Sequence, residues 1–231
     1  KRILENRQYQ NHLEEMVASQ VAEMTRMQDE VITGIANLIE SRDGSTGLHV
    51  KNTQNYVQIL TKALREKGMY PDILDHNYEL NTVKASVLHD IGKKKPPDAI
   101  LLKPGRLTDE EFEVMKQHTV AGCEIIDRII GNVEHEEYVD IARKIARYHH
   151  ERWDGTGYPD GLSGEEIPLC ARIMALADVF DALYQDRCYK KAIRPASKVF
   201  EIIKENSGSQ FDPNLTEIFL ELQREITDIS E

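Results

Sequence analysis

Residues 80–93 read LNTVKASVLHDIGK, an apolar helical pattern that runs into a histidine and an aspartate side by side, just before a glycine. Consecutive helical residues point about 100° apart. Both His89 and Asp90 could therefore reach a pair of metal ions lying beside the helix end, and the Asp90 carboxylate could bridge them, which an imidazole cannot do. A His-Asp pair alone is common by chance, so its weight depends on what the rest of the chain sets beside it.

On either side the pattern stays helical. Residues 48–68, LHVKNTQNYVQILTKALREKG, carry apolar Leu48, Val57, Leu60 and Leu64 and end at Gly68, after which residues 70–78 read as looser. KKKPPDAILLKPGR, residues 93–106, has three prolines and predicts a loop. Thr108 followed by Glu111 is a capping box opening a helix through Ile130, and another helix is expected over 136–150. Further helices are expected over 167–187, 194–207 and 215–226. Nothing alternates at period two for long, so the fold class is all-α.

Residues 1–40 hold no proline and one glycine, and they place Leu13, Val17, Gln20, Met24, Met27 and Val31 at alternating steps of four and three. That is the 3.5-residue period of a coiled-coil seam. An amphipathic helix packed on its own domain is the competing reading. The chain thus divides into an N-terminal helix, 1–40, expected as a signalling linker and a homodimer contact, and a domain over 41–231. It begins at Lys1 rather than Met, so an upstream part is expected.

The 29 Lys and Arg against 40 Asp and Glu give a net charge of −11, which disfavours a nucleic-acid polymer as partner. An anionic ligand would need a local basic or metallic patch. Cys123, Cys170 and Cys188 lack CxxC spacing, so neither a disulfide framework nor a thiolate zinc site is indicated, and a reducing cytoplasm fits. No apolar run reaches the roughly 18 residues of a membrane span, and no signal segment opens the chain.

The chemistry gathers elsewhere. Residues 149–161, HHERWDGTGYPDG, set two histidines at the edge of a loop with four glycines or prolines in seven residues. Asp178 sits inside the apolar run IMALADVFDAL, where a carboxylate needs a cation or a strong hydrogen-bond partner. With His49 and His118 the order along the chain is H, HD, H, HH, D, each member on a separate helix or helix end. Singly these residues read readily as core or surface side chains; as an ordered set they point to a metal pair.

The series resembles the HD-GYP branch of the HD-domain phosphohydrolases, spelled here by His89-Asp90 and Gly157-Tyr158-Pro159. The likeness runs through TGLH (46–49), LHDIGK (88–93), PDAILLKPGRLTDEEFEVMKQH (97–118), HHERWDGTGYPDGLSGEEIPL (149–169), ADVFDAL (177–183) and DRCYKKA (186–192), covering roughly residues 41–225. It implies a bundle of about seven helices behind the N-terminal linker helix, and phosphodiesterase activity on cyclic-di-GMP at two divalent ions, iron by family expectation, with manganese, nickel or zinc as alternatives. It also implies His49, His89, Asp90 and Asp178 as ligands of one ion and Asp90, His118, His149 and His150 as ligands of the other. A hydroxide bridging the ions would attack phosphorus in line, giving pGpG and then GMP. Lys93 would stabilise the charged phosphoryl oxygens. Tyr158 would contact the substrate, Arg187 and Lys190 would bind its phosphates, and Trp153 would anchor the loop. Arg187 pairing with Asp181 or Asp186 is the plain alternative. A sensory or receiver domain upstream is the family expectation.

One position departs from the family. Some members hold a third metal with a glutamate four residues before the first histidine, and here that residue is Ser45. Two ions and accumulation of pGpG are therefore expected, unless Glu40 or Asp43 substitutes. The competing functional readings are a phosphohydrolase acting on another cyclic dinucleotide or nucleotide, and a catalytically weak module that senses the dinucleotide.

Overall fold

The computed structural model describes residues 2–43, 48–131, 136–185 and 192–230. Among them are ten α-helices and no strand: α1 (Arg2–Glu40), α2 (Leu48–Glu66), α3 (His76–Ala85), α4 (Asp98–Leu101), α5 (Asp109–Ile130), α6 (Glu136–Tyr148), α7 (Leu169–Tyr184), α8 (Ala196–Glu205), α9 (Pro213–Glu221) and α10 (Gln223–Ser230). The excess over seven comes from short pieces. The single C-terminal helix expected over 215–226 is two, and α4 forms inside the proline-rich stretch.

The bundle is built around α7, whose residues are buried on nearly every side, from Leu169 through Ile173, Leu176 and Phe180 to Tyr184. Such an all-round apolar helix belongs in a core. It packs between α2, α6 and α8, and Phe180 meets Tyr56, Phe200 and Phe219 edge-on or tilted at centroid distances of 4.9–5.6 Å. Each such side chain taken from water contributes about 1.5–3 kcal/mol. On α2, Val57, Leu60 and Leu64 face this core, whereas Leu48 is 55% exposed, because it stands on the first turn, away from α7.

The capping box holds: the Glu111 N–H donates to Thr108 Oγ1, and the Thr108 N–H to Glu111 Oε2. The stretch 80–93 does not form one helix. α3 begins earlier, at His76 behind an Asp75 cap, and ends at Ala85; two 3-10 turns follow, Ser86–Leu88 and Ile91–Lys94, with His89 and Asp90 between them. The cause is contact with α5. A Cβ on Gly92 would lie 1.8 Å from the His118 carbonyl oxygen, so the chain changes course here to lie directly against that helix.

The seam residues of α1 that are apolar, Leu13, Val17, Met24, Met27 and Val31, are each about half exposed or more. Only the C-terminal third joins the bundle, through Ile32, Ala36 and Ile39.

Candidate metal centre

Six elements deliver the candidate ligands to one place. His49 comes from the first turn of α2, His89 and Asp90 from between the 3-10 turns, His118 from α5, His149 and His150 from the turn just past α6, and Asp178 from α7. Glu40, the last residue of α1, arrives with them and is 2% exposed. His49, His89, Asp90, His118 and His149 are all buried. The imidazoles pack as a continuous group, with centroids of neighbouring rings 4.0–5.5 Å apart.

Four of these rings are fixed in the same sense. Nδ1 of His89 lies 2.8 Å from Ser86 O, Nδ1 of His118 lies 2.8 Å from Met115 O, and Nδ1 of His149 lies 3.0 Å from Ile145 O. Nδ1 of His49 lies 2.6 Å from Asp181 Oδ2. Each acceptor takes the Nδ1 proton, which turns Nε2 inward and makes it the lone-pair donor of the neutral ring, the arrangement by which proteins orient metal-binding histidines. Nε2 of His49, His89, His118 and His149 and Oδ1 of Asp90 are buried without a hydrogen-bond partner. Such atoms are costly unless something else satisfies them.

Asp90 stands between two sets of donors. Its Oδ2 is 3.2 Å from His89 Nε2, and its Oδ1 is 3.4 Å from His118 Nε2 and 3.7 Å from His149 Nε2. Donors sharing one ion at about 2.1 Å lie roughly 3–4 Å apart, so these spacings fit. Two groups each have donor atoms within 4.8 Å of one another: Asp90, His118, His149 and His150, and Glu40, His49, His89 and Asp90. The residues present therefore suit two divalent ions sharing Asp90. Asp178 touches His49, Oδ1 to Nε2 at 3.4 Å, at the margin of the second group, where Glu40 stands instead.

The charges differ between the groups. Burial drives His118 down to about 4, with the Asp90 charge opposing, and burial with His149 and His118 alongside holds His150 well below the usual imidazole range. Burial would lower His49 too, but the adjacent Asp178 carboxylate, the hydrogen bond to Asp181 and the charge of Glu40 push it up to about 10. Burial opposes ionisation of Asp90, yet Lys93 and His89 hold it well below the carboxylate range. The Lys93 ammonium lies 2.6 Å from Asp90 Oδ2 and 3.8 Å from Glu40 Oε1, so it neutralises the same carboxylates a metal would.

Tyr158 lies tilted against His150, centroids 4.9 Å apart, and edge-on to Phe112 at 5.8 Å. Burial and the nearby Asp90 and Asp178 raise its phenol far above the ordinary value. Its loop is pinned by Glu151 Oε1, which accepts from the Asp160 and Gly161 N–H groups, and by Arg147 on Asp160. Gly157 has no room for a side chain, since a Cβ would lie 2.4 Å from Arg152 N. Trp153 takes part through its backbone, bonded to Gln210 O, and the Arg172 guanidinium lies over its ring. Ser45, Arg187 and Lys190 lie outside the described residues.

Sequence reading missed several contributors. Asp181 holds His49 and accepts from Asn52 Nδ2; the pattern D-x-x-D on α7 was the available signal. Phe112, 44% exposed, and Lys116, whose ammonium lies 5.4 and 5.9 Å from the Phe112 and Tyr158 ring centroids, line the approach to the histidines. They lie six and two residues before His118, on the same helix. Glu40 entered only as a substitute for the carboxylate absent at 45.

The HD-domain family profile matches residues 11–215. A probable cyclic di-GMP phosphodiesterase of Vibrio cholerae serotype O1 is 42% identical over 224 residues, covering 96% of this chain and 50% of that protein. The 3'3'-cGAMP-specific phosphodiesterase 2 of the same organism is 37% identical over 192 residues, covering 83% of this chain and 34% of that protein. The crystal structure of a V. cholerae cyclic GMP-AMP-specific phosphodiesterase has a TM-score of 0.62 at 19% identity, covering 87% of this chain and 52% of that one, a likeness of fold. The chain spans half the length of the first of these relatives and about a third of the second.

Proposed function

The chain belongs to the HD-domain family, with the motifs of its HD-GYP branch, and from that membership we propose that it is a metal-dependent phosphodiesterase that opens cyclic-di-GMP to linear pGpG. The observation that carries this reading is the convergence of three buried Nε2 atoms, those of His89, His118 and His149, on the two oxygens of Asp90. His49, His89, Asp90 and Asp178 would hold one divalent ion and Asp90, His118, His149 and His150 the other. Such ions lower the pKa of water and neutralise the charge on a phosphoryl group. The iron preference comes from the family; a histidine and carboxylate set without thiolate equally suits manganese, nickel or zinc.

The chain's own residues supply orientation. Asp90 faces both halves at once, and the Lys93 ammonium, 2.6 Å from Asp90 Oδ2, would stabilise the charged phosphoryl oxygens beside it. Tyr158 and its pinned loop close one side of the site, and Arg187 and Lys190 are assigned to the second phosphate. Water adds to phosphorus and the ribose 3′ oxygen leaves, opening one of the two diesters. A third-metal carboxylate is absent at Ser45, so pGpG should accumulate before GMP. In the wider protein, residues 1–40 would act as a dimerising linker to an upstream sensory or receiver domain, with 41–231 as the catalytic output. The unpaired thiols Cys123 and Cys170 support a cytoplasmic location.

The 37% relative supports a second reading in which 3′3′-cGAMP is the preferred substrate. Purified protein loaded with Mn²⁺ or Fe²⁺ and given each dinucleotide, with products separated by chromatography, decides among these. Faster opening of cyclic-di-GMP is expected. Preference for cGAMP would install the second reading, and binding of both without turnover would make the chain a sensor.

A further inference from the structure

We propose that Glu40, at the C-terminal end of α1, is a ligand of the ion held by His49, His89 and Asp90, so that the N-terminal helix itself completes the metal centre. The inference rests on the metal-dependent reading above and adds to it a residue that the family motifs do not include.

The geometry is specific. Glu40 Oε1 lies 3.5 Å from His49 Nε2, close to the 3.4 Å that separates Asp178 Oδ1 from the same nitrogen. Glu40, His49, His89 and Asp90 have donor atoms within one 4.8 Å span, and all four are buried. Glu40 is almost wholly buried, and an acid placed here costs stability that a cation would recover. A carboxylate at a helix C-terminus also opposes the helix dipole, a second penalty that helix formation does not explain.

The same helix end is fastened to the turn that carries Asp90. The Arg42 guanidinium, two residues past Glu40, donates to Lys93 O and Lys94 O and pairs with Asp98. Ile32 and Ile35 of α1 line one small apolar cavity with Leu88 and Ile91, the residues flanking His89 and Asp90. Axial or rotational displacement of α1 therefore moves a metal ligand and the His-Asp turn together. Most of α1 before Ile32 is exposed, so a partner or an upstream domain can take hold of it there.

The test uses the full chain, stripped of metal and titrated with Mn²⁺, with bound metal counted by mass spectrometry and affinity measured by calorimetry. Glu40→Gln keeps volume and helix propensity. It should weaken one of two Mn²⁺ ions by at least about tenfold and leave the other unchanged, as expected for loss of a ligand. Glu40→Cys supplies a readout that a packing role would not move: affinity should shift from Mn²⁺ toward Cd²⁺, with a cadmium–thiolate charge-transfer band absent from the parent protein. Asp90→Ala is run alongside. Wild-type Mn²⁺ binding in Glu40→Gln with no new cadmium band in Glu40→Cys overturns the Glu40 assignment, while loss of metal in Asp90→Ala leaves the metal-dependent reading standing. No Mn²⁺ bound to the parent chain overturns both.

Discussion

The two halves of the centre share Asp90 and little else. On one side His118, His149 and His150 meet it, and burial holds His118 and His150 in the neutral form that binds metal. On the other, Glu40, Asp178 and Asp181 crowd around His49, which answers by keeping a proton. A site in which His118 and His150 are held neutral is ready for a cation as it stands. A site that sets several carboxylates around His49 and His89 is already neutralised internally, by a proton on His49 and by the Lys93 ammonium. The contrast predicts that the halves load differently: the histidine side without proton release, the carboxylate side in exchange for a proton.

The shared residue gives the largest effect. Asp90→Ala should remove both ions and lower turnover by more than about 100-fold, since even residues one shell further out cost 10–100-fold. Asp178→Ala should cost mainly the carboxylate-side ion. Metal counting on both variants checks this, and a full complement of metal in Asp90→Ala would contradict the bridging arrangement.

Next in size is a change at a residue that is not itself a ligand but orients one. Asp181 Oδ2 holds His49 Nδ1, and Asp181 Oδ1 is held by Asn52. Asp181→Asn should weaken metal on the carboxylate side by about 10–100-fold and leave the histidine side intact. Equal weakening of both ions would show that the halves do not load independently.

How much of this could be read from residues alone depends on whether the signal is local. The ordered histidines and aspartates were legible because each lies in a short motif with its own punctuation, as did the capping box of α5, which needs only Thr108 and Glu111. The break between α3 and the His89–Asp90 turn was not. Propensity favours continuing a helix through Ala85, Val87 and Leu88; what stops it is the close approach of Gly92 to α5, a contact some 30 residues distant in sequence. Glu40 and Phe112 were obscure for the same reason, each looking like an ordinary residue of its own helix until another element is laid against it.

The pH dependence separates the halves more finely. His49 in the metal-free protein is raised to about 10, so below that pH metal must displace its proton, and affinity on the carboxylate side should climb about tenfold per pH unit from 7 to 9. His118, lowered to about 4, is neutral across that range and makes its side flat. The stability sign follows: a folded pKa raised above the unfolded value stabilises fully below about 6.5, and that contribution is lost as pH rises through about 10. The metal-free protein should therefore lose Tm between pH 7 and 10, and the metal-loaded protein, whose His49 no longer carries the proton, should not. Parallel pH slopes for the two ions would remove the distinction.

The smallest effect concerns what each half offers to substrate. Phe112, Lys116 and Tyr158 all stand on the histidine side, with Tyr158 against His150 and the Lys116 ammonium near both aromatic rings. An exposed ring beside a cation suits a nucleobase next to a phosphate, and stacking on one base is worth about 1–3 kcal/mol. Only part of that is lost here, because Tyr158 remains when Phe112 is removed. Phe112→Ala should raise KM for cyclic-di-GMP by roughly 5–10-fold, the lower end of that stacking range, with kcat and bound metal unchanged. The ring is 44% exposed and touches no candidate ligand, so its loss should leave stability within about 0.5 kcal/mol. Steady-state kinetics beside metal counting provides the check. An unchanged KM would take Phe112 out of substrate recognition and leave Tyr158 and Lys116 as what the histidine side offers.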